Sequence, residues 1–189
     1  MGRIRFGLSN LYYAIATEGA GGALTYATPV HIPGAKSIKM TQAGTQFTES
    51  ADNTGWYGGT TNDGYTGSIE FEDTAAADLF LQTVLGQRKG TNGLVVESAD
   101  DEAKEFAILG QFELRGGEEV GKRAVFYRVT ASRPDINGDS KESGNAPVVA
   151  TNIVNVIALP RISDNYVKGS AVSTDAIYDD FFTAVPEIA

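Results

Sequence analysis

The sequence predicts a β-rich α+β domain, and three observations carry that prediction. Two segments, KEFAILGQFELR (104–115) and RAVFYRVTA (123–131), are dense in β-branched and aromatic residues and flank a glycine-rich turn. Residues 65–72 alternate with the period of two expected of a strand. One segment, DTAAADLFLQTVLG (73–86), stands out as the convincing helix, with apolar residues at helical spacing. Many strands with one helix among them is the pattern of an α+β domain.

In chain order, RIRFGLSNLYYAIA (3–16) is expected to form two short strands broken at Gly7 and Ser9-Asn10. EGAGGA (18–23) is a flexible connection, and IPGAKSIKM (32–40) turns at Pro33-Gly34 before alternating. Residues 42–64, QAGTQFTESADNTGWYGGTTNDG, form a long polar stretch with Gly at 44, 55, 58, 59 and 64. They make either a long hairpin or an excursion out of the domain. In the following strand, Gly67, Ile69 and Phe71 share one face, and Thr66, Ser68, Glu70 and Glu72 the other.

The helix is expected over about 74–85, with Ala77, Phe80, Leu81, Val84 and Leu85 as its apolar stripe. Asp73 or Thr74 can cap its amino end, and Gly86 occupies the position of a C′ glycine. GGEEVGK (116–122) reads as a hairpin turn and RPDINGDSKESGNAP (133–147) as a polar loop leading to the strand VVATNIVNVIAL (148–159). TDAIYDDFFTAV (174–185) closes the chain as a short helix with Ile177, Phe181 and Val185 on one side. There is no internal repeat and no low-complexity segment.

At 189 residues the chain fits a single domain, 1–189, and can bury a substantial core. Its 42% hydrophobic and 21% charged content argues against general disorder. The balance of 15 Lys+Arg against 24 Asp+Glu gives −9, which removes any general attraction for phosphate backbones. The absence of cysteine excludes disulfides, zinc ribbons and thiol catalysis. No apolar run approaches the roughly 20 residues that span a bilayer, so no membrane association is expected. MGRIRFGLSN lacks the apolar stretch of a secretory signal, which implies synthesis and folding in a cytoplasm.

Several segments approach catalytic or metal motifs. GGEEVGKR (116–123) has the P-loop spacing of Gly116, Gly121 and Lys122. Arg123 replaces the magnesium-binding Ser/Thr, Glu118 and Glu119 would sit in the phosphate cradle, and strands flank both sides. DINGDSKE offers Asp135, Asn137 and Asp139 at calcium-loop spacing, but Ser140 and Ala146 stand where an EF-hand needs Gly and Glu. TNDGYTGSIEFED (61–73) fails the same template, because with Gly64 in the sixth position the first would be Gly59.

His31, the only histidine, lies between two prolines with no acidic residue close in sequence, so a Ser-His-Asp site is not expected. Glu70 and Glu72 share a strand face, as a glycosidase pair would and as any solvent-facing strand does. Trp56 and Tyr57, in a glycine-rich stretch, could stack on a sugar or base or plug into a neighbouring subunit. No enzyme signal survives, and neither cofactor nor metal is expected.

Taken in order, RIRFGLSNLYYAI, IPGAKSI, NDGYTGSIEFED, KEFAILGQFEL, VFYRVTASRP and AIYDDFFTAV resemble the major tail (tail tube) proteins of long-tailed, non-contractile bacteriophages. The resemblance spans essentially the whole chain, and it is the ordered set that is specific. Phe181 is a departure, because members of that family often carry Trp there.

The resemblance implies two packed antiparallel β-sheets, a sandwich or barrel-like fold, flanked by one α-helix. It adds an N-terminal arm (1–15), a long loop (42–64) and a C-terminal segment (174–189). It further implies a structural virion protein, without catalysis or cofactor, whose hexameric rings stack into a tube that passes double-stranded DNA. The implied partners are other copies of the chain and the tape-measure, tail-tip and tail-terminator proteins. Phe6, Leu11, Tyr12, Phe47, Trp56, Tyr57, Tyr178, Phe181 and Phe182 are the expected subunit contacts. Glu49, Glu70 and Glu72 are the expected acidic residues of the bore, where like charge would keep DNA moving. A carbohydrate-binding β-domain with Trp56 and Tyr57 as its platform is the alternative, and a hydrolase using Glu70 and Glu72 a weaker third.

Overall fold

The computed structural model describes residues 3–136, 140 and 150–188. Its strands are β1 (Ile4–Glu18), β2 (Leu24–Tyr26), β3 (Val30–Ile32), β4 (Ala35–Ala43), β5 (Gln46–Ala51), β6 (Thr54–Thr60) and β7 (Gly64–Glu72). After helix α1 (Ala75–Leu85) come β8 (Arg88–Lys89), β9 (Val95–Val96), β10 (Phe106–Arg115), β11 (Gly121–Ala131), β12 (Thr151–Leu159) and β13 (Lys168–Val172). A short 3-10 turn spans Ala20–Gly22, and a 3-10 helix, Ala176–Phe182, follows β13.

The fold is mainly β, built on one large antiparallel sheet with few helices. Nine strands run in the order β2-β1-β10-β11-β12-β7-β4, with β3 also on β1 and β13 also on β11. The hairpins β5–β6 and β8–β9 form separate two-stranded sheets. No helix among the described residues is long and apolar enough to cross a membrane.

The FAIL run at the start of β10 explains how the sheet is covered. Phe106 and Ile108 join one apolar cluster with Leu11, Tyr13, Ile69, Phe71, Val154 and the inner face of α1. Ala107 and Leu109 face the other way and join Val125, Tyr127, Ala171, Phe181 and Val185. Successive strand residues point to opposite faces, so a strand buried on both sides reads as a continuous apolar run.

α1 forms where its periodicity places it. Thr74, with extended backbone, accepts a hydrogen bond from the Ala77 N–H through its hydroxyl, and Gly86 closes the helix with a left-handed φ of 76°. Ala77, Phe80, Val84 and Leu85 are buried and Leu81 packs partly against the core. Thr74→Ala should cost about 1 kcal/mol, read as a lower urea midpoint with unchanged m-value.

Three expectations are corrected. The N-terminal arm, 1–15, is no free arm where it is described. β1 pairs with β10 from Ile4↔Arg115 to Ile15↔Phe106, and the breaks at Gly7 and Ser9-Asn10 are register shifts within one strand. Gly7 and Asn10 both take positive φ there, as bulge residues do. The 42–64 stretch is the long hairpin that its residues allowed, not the long loop that the family resemblance implied. It holds the end of β4, the β5–β6 hairpin and the start of β7, with Thr45 and Thr61 bonded to each other at the hairpin's base. The C-terminal segment forms the short helix its residues suggested, of 3-10 type and packed on the sheet face opposite α1, so α1 is not the sole helical element that the resemblance implied.

β7 carries Ile69 and Phe71 inward and pairs β12 on one edge and β4 on the other. Gly67 is required in it because a Cβ there would overlap the Lys39 carbonyl across the β4 pairing. β4 ends the strand order, so its outer edge of nine residues carries backbone groups with no partner strand among the described residues.

Candidate functional site

The most distinctive surface is the β5–β6 hairpin. Its register runs Gln46↔Thr60 to Ala51↔Thr54, closed by Asp52 and Asn53 at φ 50° and 59°. Two consecutive positive φ values make the type I′ turn whose twist matches antiparallel strands. Every residue of β5, and all of β6 except Gly59, is exposed. Phe47 (46% exposed), Trp56 (71%) and Tyr57 (61%) therefore present apolar area to solvent on a part of the chain with no core of its own.

Register fixes the hairpin's faces. Glu49 lies opposite Tyr57, and Phe47 opposite Gly59, so Phe47, Glu49 and Tyr57 share a face. The Phe47 and Tyr57 ring centres are 5.9 Å apart. The bulge between Glu49 and Ser50 falls at Trp56 and turns its indole out of that alternation.

The other expected contact residues divide. Phe6 is exposed under the Arg115 guanidinium, 5.0 Å from its ring centre. Tyr12 is half-buried, stacked on Phe182 at 4.4 Å, and Tyr178 lies 3.9 Å beneath the Arg123 guanidinium. Leu11 and Phe181 are corrected outright. They are 0% and 1% exposed, each a member of one of the two cores, and have no side-chain surface to offer a neighbour.

Glu49 has no hydrogen-bond or ion-pair partner among the described residues, whereas Glu70 and Glu72 are tied to neighbouring strands. Glu70 accepts from Ser37 Oγ at 3.3 Å and Thr151 Oγ1 at 3.0 Å, and Glu72 pairs with Lys36 at 3.0 Å. These bonds hold the two carboxylates as cross-strand links.

No protein-family model and no curated protein match the chain.

The enzyme-like motifs acquire structural explanations. Gly121 is glycine because the Tyr178 hydroxyl fills the space of a Cβ, and Arg123 donates to Gln111 Oε1 at 2.9 Å and to the Tyr178 carbonyl. The P-loop spacing is thus the turn of the β10–β11 hairpin and its hold on the C-terminal helix. His31, in β3, packs against the Tyr12 ring at 4.8 Å. Asn137, Asp139 and Ala146 of the calcium-like stretch lie outside the described residues. Among the described residues no group of three or more His, Asp or Glu side chains is placed to hold a metal.

Three features escaped the sequence reading. β12 turns Ile153, Ile157 and Leu159 to solvent while Val154, Val156 and Ala158 pack inward, a double apolar phase visible in TNIVNVIAL. Arg161 is 4% exposed and binds Asp164 and Glu187 while lying over the Tyr127 ring at 4.6 Å. Burial pushes the nearby Tyr26 hydroxyl up to about 12, and the Arg161 hydrogen bond holds the Asp164 carboxyl below the usual range. Finally, Arg5, Lys122 and Lys168 converge on one cleft, although they are widely separated along the chain.

Proposed function

We propose that the chain is a tail tube subunit of a long-tailed bacteriophage, assembling into stacked hexameric rings through which double-stranded DNA is delivered. The observation that carries this reading is the β5–β6 hairpin, an exposed arm whose three aromatic rings, Phe47, Trp56 and Tyr57, keep 46–71% of their surface open to solvent. Such surface fits burial in a neighbouring subunit. The open edge of β4 and the outward Ile153, Ile157 and Leu159 of β12 add further surface suited to packing between copies. The ordered resemblance of six segments to tail tube proteins points the same way.

In this reading the forked sheet acts as two packed layers flanked by α1. Supporting that view, Ile38, Met40 and Tyr65 of β4 and β7 lie across a cleft from Phe112, Ala124 and Phe126 of β10 and β11. The Tyr65 and Phe126 rings meet edge-to-face at 5.2 Å. The net charge of −9 suits a conduit that must not hold phosphate. The finished protein resides in the virion tail, assembled in the host cytoplasm with tape-measure, tail-tip and tail-terminator partners and without a cofactor.

Deleting residues 46–60 tests the reading cleanly, because Thr45 and Thr61 are already bonded and can close a short turn. The shortened chain should melt within ~4 °C of the parent, since it loses no core residue. It should form no tubes in negative-stain electron micrographs under conditions where the parent does. Normal tubes from the deletion would overturn the assignment. A glycan-stacking role for the same rings predicts instead that Trp56→Ala assembles normally and loses carbohydrate binding.

A further inference from the structure

A cleft of about 260 Å³ opens between β4–β7 and β10–β11. Ile38, Met40 and Phe126 are among its apolar lining, and Arg5, Lys122 and Lys168 bring three cations to it. No carboxylate lines it, and none of the three cations takes part in an ion pair among the described residues. Nearby Arg3, by contrast, is paired with Glu119 at 3.2 Å.

Two of the three cations, Arg5 and Lys168, are held in place by aromatic groups. The Arg5 guanidinium lies 5.0 Å from the Phe112 ring centre, and Lys168 Nζ donates to the Tyr65 hydroxyl at 3.2 Å. Burial, then the charges of Arg3, Arg5 and Lys168, lower the Lys122 pKa, so like charges are crowded here at a cost. In a chain of net charge −9, such a cluster selects an acidic ligand.

The size and lining of the cleft narrow the ligand further. Its volume is below the ~300–1,000 Å³ of small-molecule sites, and it suits one or two side chains entering from outside. The chain itself displays a matching group. Phe47, Glu49 and Tyr57 form an aromatic–carboxylate–aromatic face, and their hairpin springs from the β4–β7 connection without lining the cleft.

We propose that this cleft receives the β5–β6 hairpin of a second copy of the chain, Glu49 meeting the three cations and a hairpin aromatic ring seating on the apolar floor. The inference rests on the self-assembly reading and names the surface that receives the arm. Each copy then donates one hairpin and accepts another, a head-to-tail contact that closes into a ring if its rotation allows and otherwise runs on from copy to copy.

The absence of cysteine supplies a clean test. Glu49→Cys protein is mixed with Lys122→Cys or Lys168→Cys protein under assembly conditions and mild oxidation. The disulfide-linked pair should exceed that from Glu49→Cys with Lys104→Cys, a position beside the α1 end, by about tenfold, because docking raises the local thiol concentration. Tubes with cross-linking no greater than the Lys104→Cys control overturn the cleft assignment and leave self-assembly standing. Neither tubes nor cross-links from these full-length proteins overturn both. Retention of duplex DNA by the parent chain that Lys122→Ala abolishes would also overturn the proposal, assigning the cations to nucleic acid.

Discussion

Phe80→Ala is expected to destabilise the fold by about 4 kcal/mol, the largest effect of any single side-chain truncation considered. Phe80 is 0% exposed and is the point at which α1 locks to the sheet. Its ring meets Tyr13 at 4.9 Å, Phe106 at 5.6 Å and Phe71 at 5.7 Å, each contact edge-to-face. Four rings arranged this way gain quadrupolar attraction beyond their buried area, and a cavity among them cannot be refilled without moving the helix. The melting temperature should fall by ~8–16 °C for a chain of this length. Leu79→Ala, one residue away but 53% exposed, should shift stability by no more than ~0.5 kcal/mol. Equal losses from the two variants in urea denaturation would show that α1 is not held through Phe80.

Arg161→Met should cost about 2 kcal/mol, and the cost should depend on pH. The guanidinium donates to Asp164 and, at 2.5 Å, to Glu187, and its Cζ lies 4.6 Å from the Tyr127 ring centre and 5.5 Å from that of Tyr166. Methionine keeps much of the stem but none of the donors. Because Asp164 and Glu187 are partly exposed, water can take over their hydration, which keeps the loss below that of a fully buried pair.

Arg161 holds the Asp164 carboxyl below its ordinary value. A carboxyl depressed in the folded state contributes stability that is complete above its unfolded pKa and is lost as pH falls through its folded pKa. The gap between parent and Arg161→Met should therefore be full at neutral pH and shrink once pH drops below ~4. A gap of constant size down to pH 2 would place the effect in packing alone.

What the sequence disclosed was what local periodicity encodes. The α1 stripe, its Thr74 and Gly86 ends and the inward Ile69 and Phe71 of β7 all follow from spacing within a few residues. The errors come from places where the phase changes. Two bulges in β1 each advance the alternation by a step, so the side to which Leu11 points could not be counted from the strand's beginning. In the C-terminal helix, positions four apart share a face at 3.6 residues per turn but diverge at three. Hence Ile177 is 43% exposed while Phe181 is buried. The hairpin turn Asp52-Asn53 lacks the glycine that marks most type I′ turns, which left 42–64 open between hairpin and excursion. The Arg161 cluster and the cationic cleft join residues remote in sequence, and no local pattern announces either.

The pairing of β1 with β10 also has a consequence in time. Ile4 lies opposite Arg115, so β1 leaves the ribosome about 100 residues ahead of its partner strand. At synthesis rates of about 5–20 residues per second that interval is roughly 5–20 s. Throughout it, Leu11, Tyr13 and Ala14, which end almost fully buried, stay uncovered by β10. Wrong association of β1 is therefore most favoured before β10 has been made.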